Sequence, residues 1–134
     1  MEKDSQIFKE NKKSFKRFTL SFKYCYEGIR YAFYHEQNII VMLVMGIIAM
    51  ILGMVLGISY TERLIVLLLI GMILSLEMIN TAIEAVVNLV TTEKKPLAKV
   101  AKDCASGAVG IASIFAFILG ILIYLPKLIE FFRG

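Results

Sequence analysis

Five polar side chains recur along one stretch of a strongly apolar segment, and their types and spacing could support proton and phosphoryl transfer. At about 100° per residue they fall on one face of a helix: Glu77, Asn80, Thr81, Glu84 and Asn88. The other faces carry Leu, Ile, Met, Ala and Val. An ionised side chain near the bilayer centre costs at least roughly 3 kcal/mol, so such residues usually face protein or a polar cavity. The pattern therefore indicates a functional site on a membrane-spanning helix.

More charged side chains are predicted at the cytoplasmic end of the same helix. Glu36 precedes one apolar segment, and Lys102 and Asp103 precede another, at the level of Glu84 and Asn88. Carboxylate oxygens suit a hard cation such as Mg²⁺, which commonly binds through one or two carboxylates plus substrate phosphates. A lysine such as Lys102 could neutralise a transferring phosphoryl group as a point charge.

Glu77 is predicted to lie about 10 Å deeper than Glu84 along the helix. A carboxylate there could act as general base on a hydroxyl that reaches it from within the membrane. These residues fit phosphorylation of a lipid alcohol, with nucleotide supplied from the cytoplasm. The chain has no GxxxxGK[ST] loop and no kinase-type GxGxxG. An ion- or proton-coupled transporter that uses Glu77 and Glu84 as a relay, and a non-catalytic scaffold, are therefore alternatives.

The elements that must position these residues are helices that cross a membrane. The chain has 134 residues, is 58% hydrophobic and has a mean hydropathy of +0.73, which points to an integral membrane protein. Three apolar runs are long enough to span a hydrocarbon core of about 30 Å. Transmembrane helices are predicted at residues 38–58, 63–90 and 97–125, and Pro96 suits the first turn of the last helix. The absence of repeats and linkers predicts a single membrane domain over residues 1–134.

An N-terminal amphipathic helix, at about residues 8–34, is predicted to lie in the membrane interface. One face is apolar and largely aromatic, and another carries a cation every seven residues, at Lys9, Lys16, Lys23 and Arg30. Most of these cations would anchor the helix among lipid headgroups. One or two of them, with Arg30 as the candidate, could bind a nucleotide phosphate because they border the same interface as the acidic face.

The distribution of Lys and Arg predicts the topology. Residues 1–37 carry eight and the 91–103 loop carries four, whereas the 59–63 turn carries one and the tail after Leu125 carries two. The N-terminus is therefore predicted to be cytoplasmic and the C-terminus outside, in a multi-pass protein of the bacterial inner membrane. The net charge of +4 is attributed to orientation and anionic-lipid contact, with no nucleic acid as partner. Cys25 and Cys104 are predicted to be unpaired.

Small residues recur every three or four positions on the predicted spans, as at Gly46, Ala49, Gly53 and Gly57. Such stripes let membrane helices approach each other closely. They predict tight helix packing.

Two segments together resemble the prokaryotic diacylglycerol kinase family. The chain reads Glu-Met-Ile-Asn-Thr-Ala-Ile-Glu over residues 77–84 and Ala-Lys-Asp over residues 101–103, followed by small residues. The family signature has the form E-x-x-N-[ST]-A-I-E-x-x-x-D, then A-K-D. The resemblance covers nearly the whole chain, from the interfacial helix through all three spans.

The resemblance implies an all-α homotrimeric membrane kinase with active sites shared between subunits, which uses MgATP to phosphorylate a lipid alcohol. Glu77 would be the catalytic base, and Asn80 would position the acceptor. Glu84 and Glu36 would hold the Mg²⁺ bound to ATP. Lys102 would contact the phosphates of the nucleotide, and Asp103 would support the nucleotide or Lys102.

Two features of the chain bear on the substrate and on the nucleotide site. The family usually has Asp where this chain has Asn88, which would change that contact to nucleotide or metal. The segments around Phe22-Lys23-Tyr24 and Glu36-Gln37-Asn38 look more like the Gram-positive branch, whose members resemble undecaprenol kinases. Undecaprenol is therefore the expected acceptor, with diacylglycerol as the alternative.

Overall fold

The computed structural model describes the backbone of residues 2–133 and the side chains of residues 15–133. This part of the chain is helical and contains no strand; its four helices are α1 (Glu2–His35), α2 (Gln37–Val55), α3 (Tyr60–Val90) and α4 (Pro96–Arg133). Within it, α2, α3 and α4 are long and apolar enough to cross a membrane. The predicted fold class of three spans plus an N-terminal helix is thereby confirmed. The homotrimer stays a prediction.

The spans begin and end close to the predicted residues, with one large difference at the C-terminal end. Pro96 is the first residue of α4, one residue before the predicted start at 97, but α4 continues past the predicted end at residue 125 to Arg133. Pro126 has no backbone N–H to donate to the carbonyl of Leu122. A long helix tolerates the loss of this one hydrogen bond.

The N-terminal helix α1 forms a compact unit of its own, Met1–His35. It begins at Glu2, earlier than the predicted start near residue 8. The aromatic side chains Phe15, Phe18 and Phe22 of its predicted apolar face are exposed. Exposed rings on one face are what an interfacial helix requires, and the membrane-surface location stays a prediction. Lys9 lies outside the residues whose side chains are described.

The second compact unit, Glu36–Gly134, contains the three spans. Its α2–α3 turn is closed by backbone hydrogen bonds from Gly57 N to Met54 O at 3.4 Å and from Ile58 N to Gly53 O at 3.0 Å. Gly57 has φ +67°, the left-handed conformation that this type of helix end requires and that glycine adopts most easily.

The first turn of α3 is held by reciprocal hydrogen bonds between Ser59 and Glu62. Ser59 N donates to Glu62 Oε2 at 2.6 Å, and Glu62 N donates to Ser59 Oγ at 3.2 Å. This capping box satisfies two helix-end donors that would otherwise have no partner. It fixes where α3 begins and, with it, the register of every polar residue further along.

Two glycines of α2 allow close helix packing, as their spacing predicts. A Cβ at Gly46 would lie 3.0 Å from Ile70 Cγ2 of α3, and a Cβ at Gly53 would lie 3.1 Å from the Tyr124 hydroxyl of α4. Tyr124 of α4 donates from its hydroxyl to the carbonyl of Ala49 at 2.8 Å. The end of the unit near the α2–α3 turn is therefore packed around three buried apolar residues, Ile58, Val66 and Ile123.

Other small residues have open space beside them. A Cβ at Gly71 or at Gly120 would meet no atom within 4 Å. The N-terminal half of α4 instead buries Ala105, Val109 and Ala112. The packing prediction therefore holds for Gly46 and Gly53 and not for these other glycines within one chain.

Candidate functional site

The polar face of α3 is the most buried polar feature among residues 15–133. Glu77 is 3% exposed, Thr81 7% and Asn80 9%. Glu84 is half-buried and Asn88 is exposed, so the face becomes progressively more accessible toward the end of α3. Polar groups in a membrane span are energetically costly, and those that are present usually have a function. This gradient therefore marks a site whose most buried end is at Glu77.

Asn80 connects the deep and shallow carboxylates of this face. Its Nδ2 donates a hydrogen bond to Glu84 Oε1 at 3.2 Å. Its Oδ1 is buried and has no hydrogen-bond partner within the described part of the chain. A buried acceptor without a donor is destabilising by about 1–3 kcal/mol. The amide is therefore suited to a ligand that brings a donor such as a hydroxyl.

The hydroxyl of Thr81 is satisfied inside the helix. It donates to the backbone carbonyl of Glu77 at 3.0 Å. The Glu77 carboxylate, in contrast, accepts no hydrogen bond from any side chain of residues 15–133. Of the two buried groups, the carboxylate is therefore the one left to interact with a substrate.

A cavity of 740 Å³ at the α3–α4 loop brings together three of the four predicted nucleotide-binding residues, Asn88, Lys102 and Asp103. Lys102 Nζ donates to Asn88 Oδ1 at 2.8 Å, although 14 residues separate them. Because the Asn88 amide is neutral, this bond orients the Lys102 ammonium without neutralising it. The cavity thus offers a positioned positive charge.

Sequence reasoning missed three lysines that line the same cavity, Lys94, Lys95 and Lys99. Lys99 Nζ donates to Asp103 Oδ2, so the partner of Asp103 is Lys99 and not Lys102. Lys95 Nζ lies 3.6 Å from Glu93 Oε2 and forms an ion pair with it. The concentration of four lysines within residues 94–102 was the signal that could have found this cavity.

The predicted metal ligands Glu36 and Glu84 both have carboxylate oxygens to offer. Glu36 is the N-cap residue of α2, but its side chain makes no capping hydrogen bond. Glu84 uses Oε1 to accept from Asn80. Oxygen donors of this kind fit Mg²⁺. No group of three or more His, Cys, Asp and Glu that could hold a metal ion exists among residues 15–133, so a metal here would also need substrate oxygens.

The remaining candidate, Arg30, belongs to α1 and hence to the first compact unit. Its guanidinium lies 5.6 Å from the ring centroid of Tyr34, within cation–π range. A contact from Arg30 to nucleotide stays a prediction.

Cys25 and Cys104 are both free, in agreement with the sequence.

The fold and this buried polar face define a multi-pass membrane protein with a polar site on one of its spans. Residues 23–124 match the family described as prokaryotic diacylglycerol kinase, and the chain belongs to that family. It is 40% identical to an undecaprenol kinase of Bacillus subtilis over 120 residues, which are 90% of this chain and 98% of the relative.

Other relatives are named diacylglycerol kinase. One from Synechocystis is 35% identical over 112 residues, 83% of this chain and 64% of the relative. One from Helicobacter pylori is 34% identical over 109 residues, 81% of this chain and 85% of the relative. The family identifies the chain as a lipid kinase and confirms the resemblance predicted from its sequence.

Proposed function

We propose that this chain is a MgATP-dependent kinase that phosphorylates the hydroxyl of undecaprenol at the cytoplasmic side of the membrane. The observation that carries the proposal is the buried pair on α3: the Glu77 carboxylate, 3% exposed, and the unpartnered Oδ1 of Asn80. One turn of helix separates the two residues, so a single hydroxyl could contact both. Family membership favours this kinase over the transporter and scaffold alternatives.

In the proposed reaction, the Asn80 amide positions the lipid hydroxyl and Glu77 accepts its proton as general base. The hydroxyl oxygen then forms a bond to the γ-phosphorus of ATP while the bond to the β,γ-bridging oxygen breaks. The products are lipid phosphate, ADP and a proton. Burial of Glu77 excludes water from this position, which protects ATP from hydrolysis when no lipid is bound.

The nucleotide is assigned to the α3–α4 loop cavity. Lys102, oriented by Asn88, would contact its phosphates as a point charge, and Asp103 would support the cavity through Lys99. Glu84 and Glu36 would hold Mg²⁺, which when bound neutralises phosphate charge during transfer. Because Asn80 donates to Glu84, the residues for lipid and for metal are directly connected.

The working form is proposed to be a homotrimer with the N-terminus in the cytoplasm and the C-terminus outside. Three spans alone enclose little volume, and the side chains of α2, α3 and α4 include many exposed apolar residues that lipid or other subunits could cover. Arg30 is proposed as a further contact to the nucleotide phosphates. The Lys and Arg distribution supports the orientation.

The test is phosphorylation of undecaprenol and of diacylglycerol, offered separately with MgATP to purified protein in mixed micelles. Preference for undecaprenol is expected, in line with the 40% identity to the Bacillus subtilis enzyme over 98% of its length. Preference for diacylglycerol would favour the second candidate, which the relatives named diacylglycerol kinase support. Phosphorylation of neither lipid by folded protein would overturn the proposal.

A further inference from the structure

An apolar groove of 690 Å³ runs along the three spans within the second compact unit. Its lining extends on α2 from Val41 to Leu56 and on α4 from Ser113 to Leu128, about 22 Å of helix in each case. On α3 it is lined by Val66, Leu69, Ile70 and Ile73. The groove therefore follows the spans for most of the hydrocarbon thickness.

The groove and the buried pair of Glu77 and Asn80 lie on the same face of α3. Val66, Ile70, Ile73 and Glu77 follow one another at intervals of four, three and four residues, the spacing that keeps side chains on one face. Ile73, the last α3 residue of the groove, is one turn, about 6 Å, from Glu77. One face of α3 is therefore apolar from Val66 to Ile73, where it lines the groove, and polar from Glu77 onward.

We infer that this groove binds the hydrocarbon chain of the lipid alcohol and selects substrates by the length of that chain. The inference rests on the proposed function, because the hydroxyl contacts Glu77 and Asn80. A lipid bound there by its hydroxyl has its chain directed away from the cytoplasm, along Ile73, Ile70 and Val66. Attachment at one end raises the effective concentration of that chain in the groove above that of bulk lipid.

The lining is shaped to accept such a chain. A Cβ added at Gly120, midway along the α4 lining, would meet no atom within 4 Å, so the space beside this glycine is open. Tyr124 lines the outer part of the groove, and its hydroxyl is bonded to the Ala49 carbonyl, so it presents its ring. A long unsaturated isoprenoid fills this length, whereas a short chain ends near Ile73.

The test blocks the groove at its midpoint. Gly120→Leu adds a side chain into the open space, and Gly110→Leu makes the same change on α4 at a glycine that also has open space and does not line the groove. The Michaelis constants for undecaprenol and for geraniol, a short prenol, are measured for both variants and the wild type. Thermal unfolding in detergent checks that each variant is folded.

Gly120→Leu is expected to raise KM for undecaprenol about tenfold, the smaller end of what one methylene changes in an apolar pocket. KM for geraniol should stay within twofold of wild type, and Gly110→Leu should change neither value. An undecaprenol KM unchanged by Gly120→Leu would overturn the inference. An equal rise in KM for undecaprenol and geraniol would also overturn it, because the effect would then not depend on the length of the chain. If Gly120→Leu is unstable, Gly120→Ala provides the same comparison with a smaller effect.

A second measurement does not depend on turnover. Undecaprenol with a photoreactive diazirine at mid-chain is crosslinked to the wild type and mapped by mass spectrometry. Labels are expected on groove residues such as Met45 and Phe117, and Gly120→Leu should reduce them severalfold. Equal labelling of Leu67 and Leu68, exposed residues of α3 outside the groove, would overturn the inference. Groove labelling without any lipid phosphorylation would instead refute the proposed function alone.

Discussion

Lys102 of α4 donates a hydrogen bond to Asn88 at the end of α3, with 2.8 Å between Nζ and Oδ1. This contact closes the α3–α4 loop over a cavity that four lysines line. Because the acceptor is a neutral amide, the ammonium keeps its full charge for a phosphate. The two ion pairs of the cavity, Lys99 with Asp103 and Lys95 with Glu93, each cancel a positive charge.

Lys102→Met is therefore expected to raise KM for MgATP about tenfold, because a charge-assisted contact to phosphate is lost. Asn88→Asp should raise it less, since the lysine stays oriented but becomes part of an ion pair. Initial rates at saturating lipid provide both values. The control is Lys127→Met, which removes a lysine that is bonded to Glu130 near the other end of α4. Equal effects at residues 102 and 127 would refute the assignment of the loop cavity.

Glu77→Gln is expected to lower kcat by about 100- to 10,000-fold, the usual contribution of a general base. The amide has nearly the same shape, so thermal stability and oligomeric state should be retained. Glu130→Gln, the same change at an exposed carboxylate, should leave kcat unchanged. Near-normal turnover by the Glu77 variant would remove this residue from the mechanism.

Asn80→Leu should lower kcat/KM for the lipid about tenfold, because the substrate hydroxyl loses one hydrogen bond in a buried setting. It should also raise the Mg²⁺ concentration needed for half-maximal rate, since Glu84 loses its orienting donor. Thr81→Val, at the neighbouring buried position, removes only a bond to the backbone of its own helix. A Thr81 variant as impaired as the Asn80 variant would show that packing, and not substrate contact, is responsible.

Gly57→Ala should lower the free energy of unfolding by about 1 kcal/mol, since an L-residue at φ +67° is strained. Gly110→Ala, inside α4 with open space beside it, should not destabilise the protein. Unfolding curves in detergent compare the two. A Gly57 variant as stable as wild type would mean that the turn relaxes to another conformation.

Periodicity predicted the three spans and the polar face of α3, because both depend only on residue type and a fixed rotation per residue. The residues of the face could be predicted from the sequence as Glu77, Asn80, Thr81, Glu84 and Asn88, but the hydrogen bonds among them could not. The Asn80–Glu84 bond and the unpartnered Asn80 oxygen depend on side-chain rotamers, which a helical pattern leaves open.

Contacts between helices were also outside what the sequence could supply. The bond between Lys102 of α4 and Asn88 of α3 joins residues 14 positions apart, so no helical spacing predicts it. Lys99 and Asp103, in contrast, lie four residues apart within α4, and that spacing favours their pairing over one between the adjacent Lys102 and Asp103. The end of α4 was predicted just before Pro126, where a proline usually interrupts a helix. Residues 127–133 continue it nonetheless. Whether trimer contacts complete the site likewise depends on surfaces that meet only in an assembly.

The closed turn between α2 and α3 has a consequence for how the protein is made. Few residues separate the two helices, and Gly57 and the Ser59–Glu62 box fix their connection, so joining them costs little chain entropy. We expect α2 and α3 to insert together as one helical hairpin that does not need α4. Crosslinking of a chain truncated before Pro96 and released into the membrane would show both helices already paired in lipid.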